Sequence, residues 1–350
     1  MAAATPFGPR RGRQIPGPSR LEVLVACLRG EVPDRVDWDA IIAAANENLV
    51  APALHRALQG SDRVSDVDTE ALDYLDAVDS ANQERNRRLT EQLAEIVAAS
   101  DAIGVRSGLI KGAVTLCEAA DPADVTRMLY DLDILIDSSD GETVERVLGE
   151  LGYRVFEDSM TSYSPGSFYR ADVVGAVDVH QALPDRFLGL VTAADLERHM
   201  VEIAWNGTIL RVPDASLRVV MNIAHEMLHD RGVFTGFVHL RYLLELIDLC
   251  DRPGAPVDWD WVKGKCRSRR FALGFELQCR LARHLFPEAA FPRGPRTRAG
   301  WLLYRRCLLK GRFHRFGELE WQLILRLRQT RAWLWLRRSS RASRAPPSSG

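Results

Sequence analysis

The chain is 350 residues long, 46% hydrophobic and 27% charged, with 25 Gly and 17 Pro. At that length it can bury roughly three quarters of its unfolded surface, and the composition excludes collagen, a disordered polyelectrolyte and a small disulfide scaffold. The net charge of −1 conceals an asymmetry: from Trp261 onward 22 Lys and Arg stand against 4 Asp and Glu, and before it 24 stand against 43.

The length allows two domains, or one core with a large extension. Apolar runs such as Leu24–Leu28 fall far short of the ~18 residues needed to span a bilayer. The basic start (Arg10, Arg11, Arg13) leads into a stretch that contains Glu22 and lacks a small-residue cleavage site, so no signal peptide is read. Cys27, Cys117, Cys250, Cys266, Cys279 and Cys307 form no CxxC and have no short-range His partner. That fits free thiols in a reducing cytoplasm rather than a disulfide frame or zinc site. The heavy use of Ala and Arg fits a GC-rich bacterial genome, and the four lysines (Lys111, Lys263, Lys265, Lys310) stand out against it.

Residues 1–19, rich in Pro, Gly, Arg and Ala, are expected to be a disordered leader. Residues 20–103 read as a helical segment. Asp37-Trp38-Asp39 opens one helix, Leu54 and Leu58 mark the next, and Asp66 begins a long polar-faced helix with Leu72, Leu75, Leu89, Leu93 and Ile96 at helical spacing. The texture changes over residues 104–212. Strands are expected at Val105–Ile110, Asp131–Ile136, Tyr153–Phe156, Phe168–Tyr169 and Val173–Val179, with helices at Ala113–Ala120 and Gly141–Leu151. This alternation indicates an α/β unit between helical segments from both ends of the chain. Residues 213–338 read as a basic helical domain, with helices at Asp214–His229, His239–Leu249, Asp258–Arg270, Phe271–Phe286 and Glu318–Arg338. Residues 339–350 read as a disordered tail, and no repeat recurs at a fixed period.

The chemistry concentrates between Leu109 and His180. In a strand, alternate side chains share a face, so Asp131 and Asp133 project together while Leu132, Ile134 and Ile136 turn to the core. Two adjacent carboxylates repel, and one pKa rises unless a cation sits between them. A divalent ion is the usual answer: Mg²⁺ takes a few carboxylate oxygens together with substrate phosphates, and paired ions serve phosphoryl and nucleotidyl transfer. Asp178, within Ala176-Val177-Asp178-Val179-His180, is the expected third carboxylate. Gly112, at a turn before a helix, lets backbone N–H groups approach a phosphate. Lys111 and Arg127 are placed to meet phosphate oxygens. His180 can lean into this site or serve as a satisfied packing histidine, and the packing role is the expectation.

These residues carry a resemblance. Leu109-Ile110-Lys111-Gly112-Ala113, then Arg127 leading to Asp131-Leu132-Asp133-Ile134-Leu135-Ile136, then Val177-Asp178-Val179-His180 resemble the bacterial family of uncharacterised nucleotidyltransferases, within the DNA polymerase beta-like superfamily. Asp37-Trp38 and Asn48 to His55 look like that family's N-terminal helices. Ala224-His225 through Leu249, with Asp258-Trp259, look like its C-terminal ones, so the resemblance covers about Arg20 to Phe286. It implies an α+β fold, a mixed-sheet core flanked by the N- and C-terminal helical segments, and transfer of a nucleoside monophosphate from an NTP to an acceptor such as a sugar phosphate, a natural product or a protein. Asp131, Asp133 and Asp178 would be the catalytic ligands of Mg²⁺ or Mn²⁺, and Lys111, Gly112, Ala113 and Arg127 would bind the nucleotide. Gly112-Ala113 replaces the superfamily's usual Gly-Ser or Gly-Gly, which removes a hydroxyl that can touch a phosphate.

Three other readings stand beside this one. A nucleotidyltransferase fold without turnover would act as a binding or adaptor module. His225-Glu226-Met227-Leu228-His229 is a literal HExxH, in which the histidines would hold zinc and Glu226 would activate water as in a metalloprotease. Asp230 follows where that motif usually keeps an uncharged residue, and the same helix also reads as burying Val219, Val220, Ile223, Met227 and Leu228. Finally, the Arg/Trp-rich segment Glu318–Arg338 suits docking on the acidic front half of the chain or an anionic membrane surface. Nucleic acid is the least supported partner, because no recognised reading motif accompanies the charge.

Overall fold

The computed structural model describes residues 18–312, apart from 157–159, 162–163, 184–188, 231, 253 and 255. The expected leader (but for its last two residues), the Arg/Trp helix and the tail lie outside that range.

Short polar residues start the N-terminal helices, because their side chains accept the backbone N–H groups that a helix start leaves unpaired. Ser19 caps α1 (Arg20–Leu28) in a reciprocal box with Glu22. Asp37 accepts from the Ala40 N–H at 3.1 Å to start α2 (Trp38–Glu47). Pro52 sits in the first turn of α3 (Ala51–Gln59), where its missing N–H has no intrahelical partner to lose. Asp68 caps α4 (Thr69–Asp101), a helix of 33 residues.

The polar positions along α4 are structural. Asn82 and Asn86 donate to the Val125 carbonyl at 3.0 and 2.8 Å, and Arg85 reaches the Leu129 and Val174 carbonyls at 2.6 and 2.7 Å. Gln92 brackets Gly175, donating to its carbonyl at 2.9 Å and accepting from its N–H at 3.2 Å. A Cβ at Gly175 would overlap Leu89. The helix therefore fixes the backbone that leads into the two acidic strands.

The sheet has seven strands: β1 (Gly108–Leu109), β2 (Asp131–Leu135), β3 (Arg154–Val155), β4 (Gly166–Tyr169), β5 (Ala176–His180), β6 (Met200–Trp205) and β7 (Thr208–Pro213). Their order is β3-β4-β5-β2-β1-β7-β6. The β2–β5 and β1–β7 pairs are parallel and the rest antiparallel. Helix α5 (Gly112–Glu118) follows β1, α6 (Gly141–Glu150) follows β2, and α7 (Ala193–His199) precedes β6. The strand expected at Val105–Ile110 is shorter, because the Val105 N–H turns back to the Ser100 carbonyl at 3.0 Å. The β6–β7 hairpin was not predicted, although its turn, Asn206-Gly207 with both residues at positive φ, is a strong short-range hairpin signal.

Beyond the sheet come α8 (Ala215–Ala224), a π turn at His225–His229, α9 (Gly232–Thr235), α10 (Leu240–Asp251), α11 (Trp259–Gly264), α12 (Arg269–Leu285) and α13 (Arg298–Arg312). The helix expected at Asp258–Arg270 breaks at Gly264, because Ser268 leaves the helical conformation to cap α12. Helix α13 was not anticipated. Leu24, Leu54 and Leu58 share one core with Leu217, Ile223, Phe271 and Phe275, so α1 and α3 pack with α8 and α12. A second core lies between α4 and the sheet, built on Leu89, Leu93, Leu132, Ile134, Val177 and Val179. Cys27, Cys117, Cys250, Cys266 and Cys279 are free thiols. Among the described residues no helix is long and apolar enough to cross a membrane.

Candidate active site

β2 and β5 run side by side in parallel, with Asp133 opposite Asp178. Opposed residues of neighbouring strands share a face of the pleat, so Asp131, Asp133, Asp178 and His180 project together. Leu132, Ile134, Val177 and Val179 fill the core behind them. Asp133 is only 2% exposed. Its Oδ1 takes the Lys111 ammonium and lies 2.9 Å from His180 Nε2. Asp178 is half-buried and has no hydrogen bond or ion pair among the described residues. Asp133, Asp178 and His180 each offer a ligand atom within 4.8 Å of the others'. Asp131 lies outside that tightest cluster, two residues earlier on the same face of β2. His180 is buried, as a packing histidine would be, yet its packing partner is the central carboxylate.

The electrostatics follow from this crowding. Burial, and then the neighbouring charge of Asp133, push the Asp131 carboxyl above its ordinary range. Burial also works against the charge on Asp133, but Lys111 and His180 outweigh it and hold its carboxyl low. Burial opposes the Lys111 charge as well; Asp133 foremost, then Asp131 and Asp178, keep the ammonium above its usual value. One lysine thus faces three carboxylates, which leaves the spot short of positive charge. The oxygen donors suit a hard dication, and buried His180 Nδ1 has no hydrogen-bond partner. The residues present therefore fit Mg²⁺ or Mn²⁺.

Lys111 stands at the turn before α5 with φ at 52°, a conformation that costs a side-chain-bearing residue about 1 kcal/mol or more. Gly112 follows because nothing larger fits: a Cβ there would overlap Leu129 and lie 3.3 Å from Arg127 Nε. We expect Gly112→Ala to cost about 1–3 kcal/mol in urea denaturation, because Leu129 and Arg127 must both shift. Ala113 is fully buried, so its side chain cannot touch a ligand and only its backbone N–H remains for a phosphate. Arg127 pairs with Glu245 at 2.5 Å.

Lys111, Gly112 and Arg127, though not Ala113 or Asp178, border a cleft of about 300 Å³ between the acidic strands and helices α8 and α10. Lys111, Gly112, Arg127, Asp131 and Asp133 line one side. The other side, which the sequence reading missed, carries Arg218, Asn222, His225, Arg241, Tyr242 and Glu245. Its signal was polar residues four apart, Arg218 and Asn222 on α8 and Arg241 and Glu245 on α10. Asn222 donates to Glu245 at 3.0 Å, and Arg218 pairs with Glu118 at 2.5 Å. Arg241 has no carboxylate within ion-pair distance among the described residues and donates to the Tyr242 hydroxyl at 2.8 Å.

The HExxH residues do not form a protease centre. Glu226 is 1% exposed and accepts from the Gln278 side chain on α12. Burial pushes its carboxyl well above the ordinary range. A general base for a zinc-bound water must reach that water, and Glu226 faces the core.

Three comparisons with known proteins bear on this arrangement. A search of curated proteins gives no match. Among solved structures, the chain is similar to the antibiotic-resistance factor ANT(2'')-Ia, whose solution structure was described for its substrate-regulated conformational dynamics. The identity is 18%, the match covers 54% of this chain and 96% of that one, and the TM-score is 0.36. The profile of the uncharacterised nucleotidyltransferase family matches residues 34–287, from before α2 to the end of α12. That span takes in both acidic strands, the turn at Gly112 and the helical wall of the cleft, and the chain belongs to the uncharacterised nucleotidyltransferase family.

Proposed function

We propose that the chain transfers a nucleoside monophosphate from an NTP to a hydroxyl or phosphate of an acceptor that is a sugar phosphate, a natural product or a protein. The observation that carries this reading is the juxtaposition of Asp131, Asp133 and Asp178 on one face of two neighbouring strands, beside a cleft lined by Lys111 and Arg127. Asp131, Asp133 and Asp178 would hold Mg²⁺ or Mn²⁺, which when bound neutralises phosphate charge and acidifies the acceptor hydroxyl. His180 fixes the Asp133 carboxylate. Lys111 and Arg127, with the backbone N–H groups of Gly112 and Ala113, take the triphosphate oxygens. Arg241, with no carboxylate partner among the described residues, adds a cation from the opposite wall. The acceptor oxygen attacks the α-phosphorus and the bond to the bridging oxygen of the β-phosphate breaks. Pyrophosphate leaves with that electron pair, and Asp178, whose oxygens engage no described partner, accepts the acceptor's proton.

The test is incubation of purified protein with each labelled NTP, Mg²⁺ or Mn²⁺ and a cell lysate. Pyrophosphate should be released together with a labelled product, and chelation of the divalent ion should stop it. Absence of release with every NTP, or release that survives chelation, would overturn the reading.

A further inference from the structure

Residues His225–His229 wind as a single π turn, closed by the Asp230 N–H on the His225 carbonyl at 2.8 Å. π turns are rare and recur at functional positions. This one stacks the His225 and His229 rings, 5.0 Å between centroids and 28° between planes. Asp230 comes next, with Oδ2 3.3 Å from His225 Nδ1. One donor atom from each of the three residues lies within 4.8 Å of the other two. The side chains of His225 and Asp230 are 22% and 34% exposed, so an ion can reach them, and His225 lines the cleft. The Tyr242 hydroxyl accepts from Arg241, donates to Asp230 Oδ2 at 3.0 Å and lies 2.9 Å from His225 Nδ1. It holds the His225 ring and the Asp230 carboxylate in place, as the outer partners of metal ligands do through the ring nitrogen that does not bind the ion.

We propose that His225, His229 and Asp230 form a zinc site on the helical wall of the cleft, separate from the carboxylates of β2 and β5, with Tyr242 as its outer partner. Two imidazoles and a carboxylate suit Zn²⁺, whereas the oxygen-rich set on the strands suits Mg²⁺ or Mn²⁺. Three protein ligands leave a coordination position open. With Glu226 turned into the core, the ion has no peptidase base beside it. This site does not depend on the nucleotidyl-transfer reading, and its test does not measure transfer.

The full chain, stripped of metal and returned to excess Mg²⁺, is titrated with Zn²⁺ by calorimetry and with Co²⁺ by visible absorption. One equivalent of Zn²⁺ should bind with micromolar affinity or better, and Co²⁺ should give the intense ligand-field bands of a low-coordinate ion with nitrogen donors. His229→Ala and Asp230→Ala should abolish the bands, Tyr242→Phe should weaken Zn²⁺ binding by about 10-fold or more, and Asp178→Ala should leave it unchanged. Absence of the Co²⁺ bands in the wild-type protein overturns the proposal, a readout that does not require any variant to fold. Zinc binding kept in His229→Ala and lost in Asp178→Ala overturns it as well, by moving the ion to the strands.

Discussion

Asp178→Ala is expected to lower kcat for pyrophosphate release by about 10³-fold, some 4 kcal/mol of transition-state stabilisation, while urea unfolding changes by less than about 0.5 kcal/mol. The reasoning rests on what Asp178 does not do. It sits opposite Asp133 on the neighbouring strand, half-buried, with no hydrogen bond or ion pair among the described residues. Truncation therefore leaves no described donor stranded, and it relieves repulsion on Asp131, whose carboxyl is held high partly by Asp178. A half-buried carboxylate that no described hydrogen bond or ion pair engages is best explained by a ligand. The measurement pairs labelled-NTP turnover with denaturation on the same preparation. Full turnover in this variant would remove the three-carboxylate assignment, and a large loss of stability would show that Asp178 has a structural partner instead.

The acidic pair on β2 and its companion on β5 were legible because they interrupt apolar strands at period two, and the pleat turns that spacing directly into a shared face. The cleft's other wall was not. Arg218, Asn222, Arg241 and Glu245 come from helices more than 80 residues beyond β2, and no local pattern states that those helices close over the sheet. Helix α4 shows a second limit. Asn82, Asn86 and Gln92 look like a solvated face in sequence, since periodicity records polarity and not the partner. Each is instead buried and bonded to loop backbone. His180 was under-read for the same reason: a histidine on an apolar strand is consistent with packing, and only the register reveals that it meets Asp133. The Asn206-Gly207 hairpin was local and legible, and was simply passed over.

Asp133→Ala is expected to behave differently from Asp178→Ala, losing turnover by at least about 10³-fold and also about 3 kcal/mol of stability. Asp133 is almost fully buried and is the shared acceptor of Lys111 and His180. Removing one member of a buried ion pair strands the other, at a cost of roughly 3–5 kcal/mol. Lys111 keeps 26% of its side chain exposed and so regains some hydration, which sets the lower end of that range. The pH dependence has a definite sign. The Asp133 carboxyl lies below the ordinary value of 3.8 in the folded chain, so its contribution is complete above that pH and is lost as pH falls through the depressed value. The stability gap between wild type and Asp133→Ala should therefore be widest at neutral pH and narrow in acid. The double variant Lys111→Met/Asp133→Leu separates the two roles, because an apolar pair of similar volume often replaces a buried ion pair without loss of stability. It should recover most of the stability at neutral pH and none of the turnover. A double variant as unstable as Asp133→Ala alone would show that His180, rather than Lys111, is the stranded partner that matters.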